Sequence, residues 1–227
     1  MRLTFLCVMM FCGSAISAQA GTFTVKPGEN FYEVIPFNDI FRYPKFIVGN
    51  VAFKDGRSVE GRLNYNMLIK QVQFIDPKGD TLSLADENTI RHIIINKDTF
   101  YYSNEYVRQV ASWNTIKLGE SDYYKEFLQR PGSYGLASSA TASNNISSLL
   151  VQGKKFEINT DQEMVLVRAK QYFIGTRFNE FFPADKKLLL KAFPKHRKKI
   201  EGFLDENAIQ VSNKEDLVKL AGFLESL

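Results

Sequence analysis

Cysteine is nearly missing from this chain: Cys7 and Cys12 are the only two, and both lie in the first turns of sequence. Everything that follows them is free of thiols, which excludes disulfide staples, a thiol nucleophile and a thiolate metal site from that part. Histidine is equally scarce. His92 and His196 stand alone in segments of different character, so a histidine-rich metal centre cannot be assembled and no cofactor is expected. No apolar run reaches the ~20 residues that a membrane-crossing helix needs. Charge of one sign is also lacking: the net charge of +4 suits an ordinary wetted surface and is too small to point to nucleic acid.

What is present begins with a positive Met1-Arg2, an apolar run from Leu3 to Phe11, and Ala18-Gln19-Ala20, a small-x-small cleavage site. This is the pattern of a secretory signal peptide over residues 1–20, so the exported chain is expected to begin at Gly21 without cysteine. A lipid anchor at Cys12 is disfavoured because the bulky Phe11 precedes it where a small residue is required. The expected location is periplasmic, outer-membrane-associated or extracellular.

From Phe46 to about Tyr124 short β-rich segments alternate with turns. In KFIVGNVAFKDGRSVEGRLNYN, Val48, Val51 and Phe53 lead into Asp55-Gly56, a pair suited to a tight hairpin turn, and Val59, Leu63 and Tyr65 return. A second hairpin places Val72 and Phe74 before the turn Asp76-Pro77-Lys78-Gly79-Asp80 and Leu82 and Leu84 after it. Thr89 to Ile95, Thr99 to Tyr102 and Tyr106 to Trp113 read as further strands. The small, polar run PGSYGLASSATASNNISS, at about 131–148, predicts a mobile surface loop. KKFEI and MVLVRAKQYFI then predict a hairpin turning at Asn159 to Glu163.

After Pro183 the period becomes helical. Leu188, Leu189, Ala192 and Phe193 form one stripe, Ile200, Phe203 and Leu204 a second, and Pro194 separates them. Ser212-Asn213-Lys214-Glu215 has the form of a capping box, opening a last helix with Leu217, Leu220, Ala221 and Leu224 on one face. The expected fold is α+β: an antiparallel β-meander body, sandwich or open barrel-like, over 21–182, and a three-helix unit over 183–227.

Candidate chemistry is sparse. Gly132-Ser133-Tyr134-Gly135 is not a GxSxG elbow and does not join a strand to a helix, and His92 in TIRHIIIN reads as a strand histidine. Asp76 with Asp80, and Asp86 with Glu87, sit where turns ordinarily place carboxylates. Tyr101, Tyr106 and Tyr123, among the neighbours Tyr102, Trp113 and Tyr124, are candidates for an aromatic surface, against the plainer expectation of cross-strand packing. In KKLLLKAFPKHRKKI, Lys195, Arg197, Lys198 and Lys199 crowd the first turn of a helix, where the macrodipole already disfavours cations. They are candidates for binding an anionic partner. The plainer reading is a solvated helix face, since acids follow them and leave the tail nearly balanced.

FKDGRSVEGRLNYN, SYGLASSATAS and the tail from LKAFPKHRKKIEGFLDENAI to SNKEDLVKL together resemble a group of secreted proteins of uncharacterised function common in Bacteroidota. The resemblance implies an envelope or extracellular setting and brings no catalytic residues. The functional expectation is an exported, non-catalytic envelope or extracellular protein with a binding or structural interaction role, its partner an envelope or surface protein or an anionic glycan. Its rival is a hydrolase acting on envelope glycan or peptide through Asp and Glu side chains that the fold brings together. N-terminal sequencing of the exported protein is expected to begin at Gly21; an acylated Cys12 would contradict the signal-peptide reading.

Overall fold

The computed structural model describes residues 21–131, 137–141 and 163–227. The signal-like segment, Ser133 and the KKFEI segment lie outside the described residues.

Among the described residues the body is one antiparallel sheet of 12 strands. β1 (Thr22–Val25) is followed by two single-turn helices, α1 (Phe31–Val34) and α2 (Phe37–Ile40). The next four strands are β2 (Ile47–Phe53), β3 (Ser58–Asn66), β4 (Gln71–Ile75) and β5 (Thr81–Ser83). Gly56 alone takes the positive φ (92°) in the first turn, while Asp55 accepts the Arg57 N–H at 3.0 Å. Asp76 closes the second turn by accepting the N–H groups of Lys78 at 2.9 Å and Asp80 at 2.8 Å, an ordinary Asx arrangement.

A second meander comprises β6 (Ile90–Ile95), β7 (Asp98–Tyr102), β8 (Tyr106–Ser112) and the 16-residue β9 (Ile116–Pro131). β6 returns to pair with β2, so the two meanders lie side by side. β10 (Ala137–Thr141), inside the stretch at about 131–148 expected to be a mobile surface loop, pairs with Phe127–Pro131 of β9. The remainder of that stretch beyond Pro131 and outside β10 is not among the described residues. β11 (Glu163–Thr176) runs against β9 from Glu163↔Gln129 to Thr176↔Ile116. On its other side β11 carries β1 and the short β12 (Phe181–Pro183).

The tail folds into α3 (Lys186–Ala192), a 3-10 turn at Pro194–His196, α4 (Arg197–Glu206) and α5 (Lys214–Glu225). Pro194 breaks the first helix from the second, as its missing N–H requires. The cap of α5 is Asn213, whose side chain accepts the Asp216 N–H at 3.1 Å, one residue later than the expected Ser212. An α+β fold with an open β-rich body is the result.

Two apolar cores form on this frame. In the first, Phe31, Ile35 and Ile40 from the N-terminal segment pack with Leu63, Tyr65, Ile93, Phe100 and Leu166. The second lies under the helices, where Leu189, Ile200, Leu217, Leu220 and Leu224 meet Ile116, Leu118 and Ile174 of β9 and β11. Each fully buried leucine contributes about 1.5–3 kcal/mol by leaving water, which short helices of low intrinsic stability need.

A smaller cluster of Tyr101, Val107, Phe173 and Phe181 leaves no room for a side chain at Gly119. A Cβ there would stand 2.3 Å from Val107 Cγ1 and 3.0 Å from Phe181 Cε1. Gly119→Ala is therefore expected to lower stability by about 1–3 kcal/mol in denaturant unfolding. Gly222→Ala, on α5 with nothing within 4 Å, is expected to leave stability unchanged or raise it by about 0.5–1 kcal/mol. Equal midpoints for both variants would contradict this packing.

Candidate functional site

The aromatic candidates do not form a surface. Tyr101 and Tyr106, candidates for an aromatic surface, are buried, as the plainer reading of aromatic packing has it. Tyr101 packs on Phe181 with ring centroids 5.4 Å apart, and Tyr106 meets Tyr102 edge-on at 5.2 Å. Tyr123 is half-buried, with the Lys70 ammonium 4.3 Å above its ring. His92 is a half-buried strand residue whose pKa is pushed down by burial and by Arg91 and Lys117, so it is neutral at pH 7.

The fold does bring carboxylates together. Along β9, Ile116, Leu118, Glu120, Asp122 and Tyr124 share one face by strand alternation. Opposite them in register, Lys170 faces Asp122 and Arg168 faces Tyr124. The acids are capped by Arg42, which follows α2 and is fixed by its own N–H donating to Tyr65 O at 3.0 Å. Its guanidinium reaches Asp122 at 2.5 Å and Asp98 at 3.2 Å. Arg108 bridges Asp98 at 3.0 Å and a short contact to Glu120. Lys170 stands 3.8 Å from both Glu120 and Asp122, and Arg168 is 4.0 Å from Asp122. The Tyr43 hydroxyl donates to Asp98 at 2.6 Å.

This belt lies between the two apolar cores, and its inner acids Glu120 and Asp122 are only 2% exposed. Burial alone would raise the pKa of Glu120; the Arg108 hydrogen bond and charge, aided by Lys170 and Arg42, outweigh it and hold Glu120 below the usual carboxylate range. Asp98 is held low in the same way, with burial opposed by Tyr43, Arg108 and Arg42. A glycosidase acid must keep its proton near neutrality. Glu120 and Asp98 are held as anions and engaged by guanidinium groups, so the arrangement favours structure over proton transfer. Among the described residues no group of three or more His, Cys, Asp or Glu could hold a metal ion.

The second charged feature is open to solvent. Between α3 and the start of α4 runs an open groove of about 860 Å³. Lys186, Lys187, Lys191 and Arg197 line it, with Leu190 and Pro194 as its apolar part. Asp185, its only acid, is the N-cap of α3 and accepts the Leu188 N–H at 3.0 Å. Lys186 pairs with Asp205 at 3.0 Å and Arg197 with Glu201 at 3.3 Å, both through exposed side chains. Lys187 and Lys191 make no ion pair among the described residues.

No protein-family model, curated protein or solved structure matches the chain.

Of the sequence candidates, Arg197 lines the groove, and Lys195, Lys198 and Lys199 are exposed without lining it. The first turn of α4 holds no acid and has no side-chain cap, as the cation-rich sequence implied. Lys186, Lys187 and Lys191 line the groove with Arg197 and were not among the sequence candidates. Their clue was the i, i+4 spacing of Lys187 and Lys191 beside a proline break. The belt also left a trace in sequence: acids at 120 and 122 interrupt one apolar face of β9, and Arg168 and Lys170 interrupt that of β11.

Arg42→Ala leaves Asp122 buried without its closest cation and is expected to cost about 3–5 kcal/mol in chemical unfolding at pH 7. The lowered pKa values set the pH dependence. Glu120 and Asp98 contribute stability that is complete above the unfolded carboxylate range, near pH ~4, and is lost as pH falls through their lower folded values. Glu120→Gln is accordingly expected to lower stability at pH 7 and to flatten its further loss in acid. An unchanged acid limb would contradict the belt.

Proposed function

We propose that this is an exported, non-catalytic binding protein of the cell envelope or extracellular space that engages an anionic partner through the groove between α3 and α4. The observation that carries the reading is the groove's lining of four cations, in which the one carboxylate is committed to a helix cap. The two exposed ion pairs at its rim are each of little worth in water, about 0–1 kcal/mol, and yield readily to an incoming anion. Export is supported by the signal-like N-terminal sequence, and the resemblance to secreted proteins of Bacteroidota agrees with it. Among the described residues no helix is long and apolar enough to cross a membrane. The hydrolase reading is less supported, because Glu120 and Asp98 are held as anions in ion pairs.

A salt series tests this. Native protein and a variant carrying Lys186→Gln, Lys187→Gln, Lys191→Gln and Arg197→Gln are titrated with poly-glutamate, a polyuronate and lipopolysaccharide. At least one polyanion is expected to bind the native protein, more weakly as salt rises, and the folded variant is expected to lose at least about tenfold in affinity. Because these side chains lie outside both cores, the variant is expected to unfold like the native protein. Absence of binding to native protein at low salt, or equal binding by the variant, would overturn the proposal.

A further inference from the structure

Resting on the reading of the groove as an anion site, we infer that its partner is an acidic polypeptide segment carrying an apolar side chain among its carboxylates. The lining decides between the kinds of polyanion. Three of the four cations are lysines, which act as mobile point charges and impose none of the planar two-pronged geometry that an arginine cluster imposes on phosphate or sulfate. Such a set answers to charge density and tolerates a flexible acidic chain.

Saccharide recognition asks for more than the groove offers. Sugar hydroxyls need both donors and acceptors, but among the described residues the lining's only side-chain acceptor is Asp185, and one of its oxygens already takes the Leu188 N–H. Among the described residues no aromatic ring lines the groove to stack against a sugar face. A membrane surface is a poor fit also: a peripheral helix lies on lipid through a large apolar face ringed by cations. Here α3 has seven residues and turns its Leu189 into the core, which leaves Leu188 as its exposed large apolar side chain.

An acidic peptide uses what is present. Its carboxylates meet Lys187 and Lys191, which need not give up a partner, and exchange with Asp205 and Glu201 at Lys186 and Arg197. One leucine-sized side chain covers Leu190 and Pro194, the apolar part between the cations. The apolar anchor supplies affinity that salt does not screen, and the cations supply orientation and rate.

The test uses the full exported chain and four probes: a peptide with one leucine among four glutamates, the same peptide with serine for leucine, a tetra-uronate of equal charge, and phosphatidylglycerol vesicles. Fluorescence anisotropy and vesicle co-sedimentation are read at low and physiological salt. The leucine peptide is expected to bind at least about tenfold tighter than the serine peptide, with the preference surviving added salt. Leu190→Ala is expected to reduce that preference and leave the salt-dependent part intact. Should that variant misfold, the comparison of the two peptides on native protein stands by itself. Equal affinity for the two peptides, or tighter binding of the uronate or the vesicles, would overturn this inference and leave the anionic-partner reading standing. Failure of every probe to bind, together with no response to the larger polyanions, would overturn both.

Discussion

The guanidinium of Arg42 sits between Asp98 and Asp122 and so ties the segment after α2 to β7 and β9 at once. With Arg108, Lys170 and Arg168 around the same acids, it builds a charged layer where an uninterrupted apolar core would otherwise run along β9 and β11. Removing such charges from water is costly, and the layer persists because each acid meets more than one cation. Its position explains the two-part interior. The N-terminal segment and both meanders close over one core, the three C-terminal helices cover the other, and the belt sets the boundary.

The belt and the groove divide the charge of this protein into two kinds. Inside, acids and bases neutralise one another in fixed geometry, and the lowered pKa values of Glu120 and Asp98 make these groups poor proton donors. Outside, the cations of α3 and α4 line an open groove and are satisfied only by weak exposed pairs, or by none. The first kind is buried and mutually compensated; the second is accessible to solvent.

Much of the fold was legible. Runs of β-favouring residues marked the strands from Phe46 to Trp113, and Asp55-Gly56 and Asp76 to Asp80 marked two of their turns, although Val48, Val59 and Leu82 are exposed and β5 has no buried residue. Helical stripes and Pro194 located the tail helices. The N-terminal stretch was not read: α1 and α2 are single turns held by tertiary contacts of Phe31 and Ile40, and such short elements carry no periodicity. β9 was obscured because Glu120, Asp122 and Glu126 stand at inward positions where a strand normally shows apolar residues. Tyr101 is buried against Phe181 of β12, a partner distant in sequence, whereas Tyr106 packs across the β7–β8 pair on Tyr102. Neither the belt nor the groove could be assembled without the register of β9 against β11 and the angle of the chain at Pro194.

Carboxyl carbon chemical shifts across a pH titration test the division of charge most directly. Assigned resonances of Asp98 and Glu120 are expected to titrate below the ordinary values near ~3.9 and ~4.3, which keeps both ionised throughout the neutral range. A midpoint for either group well above those values, toward pH ~6, would show a carboxyl that keeps its proton. That result would contradict a structural belt and make that carboxyl of β7 or β9 a candidate proton donor.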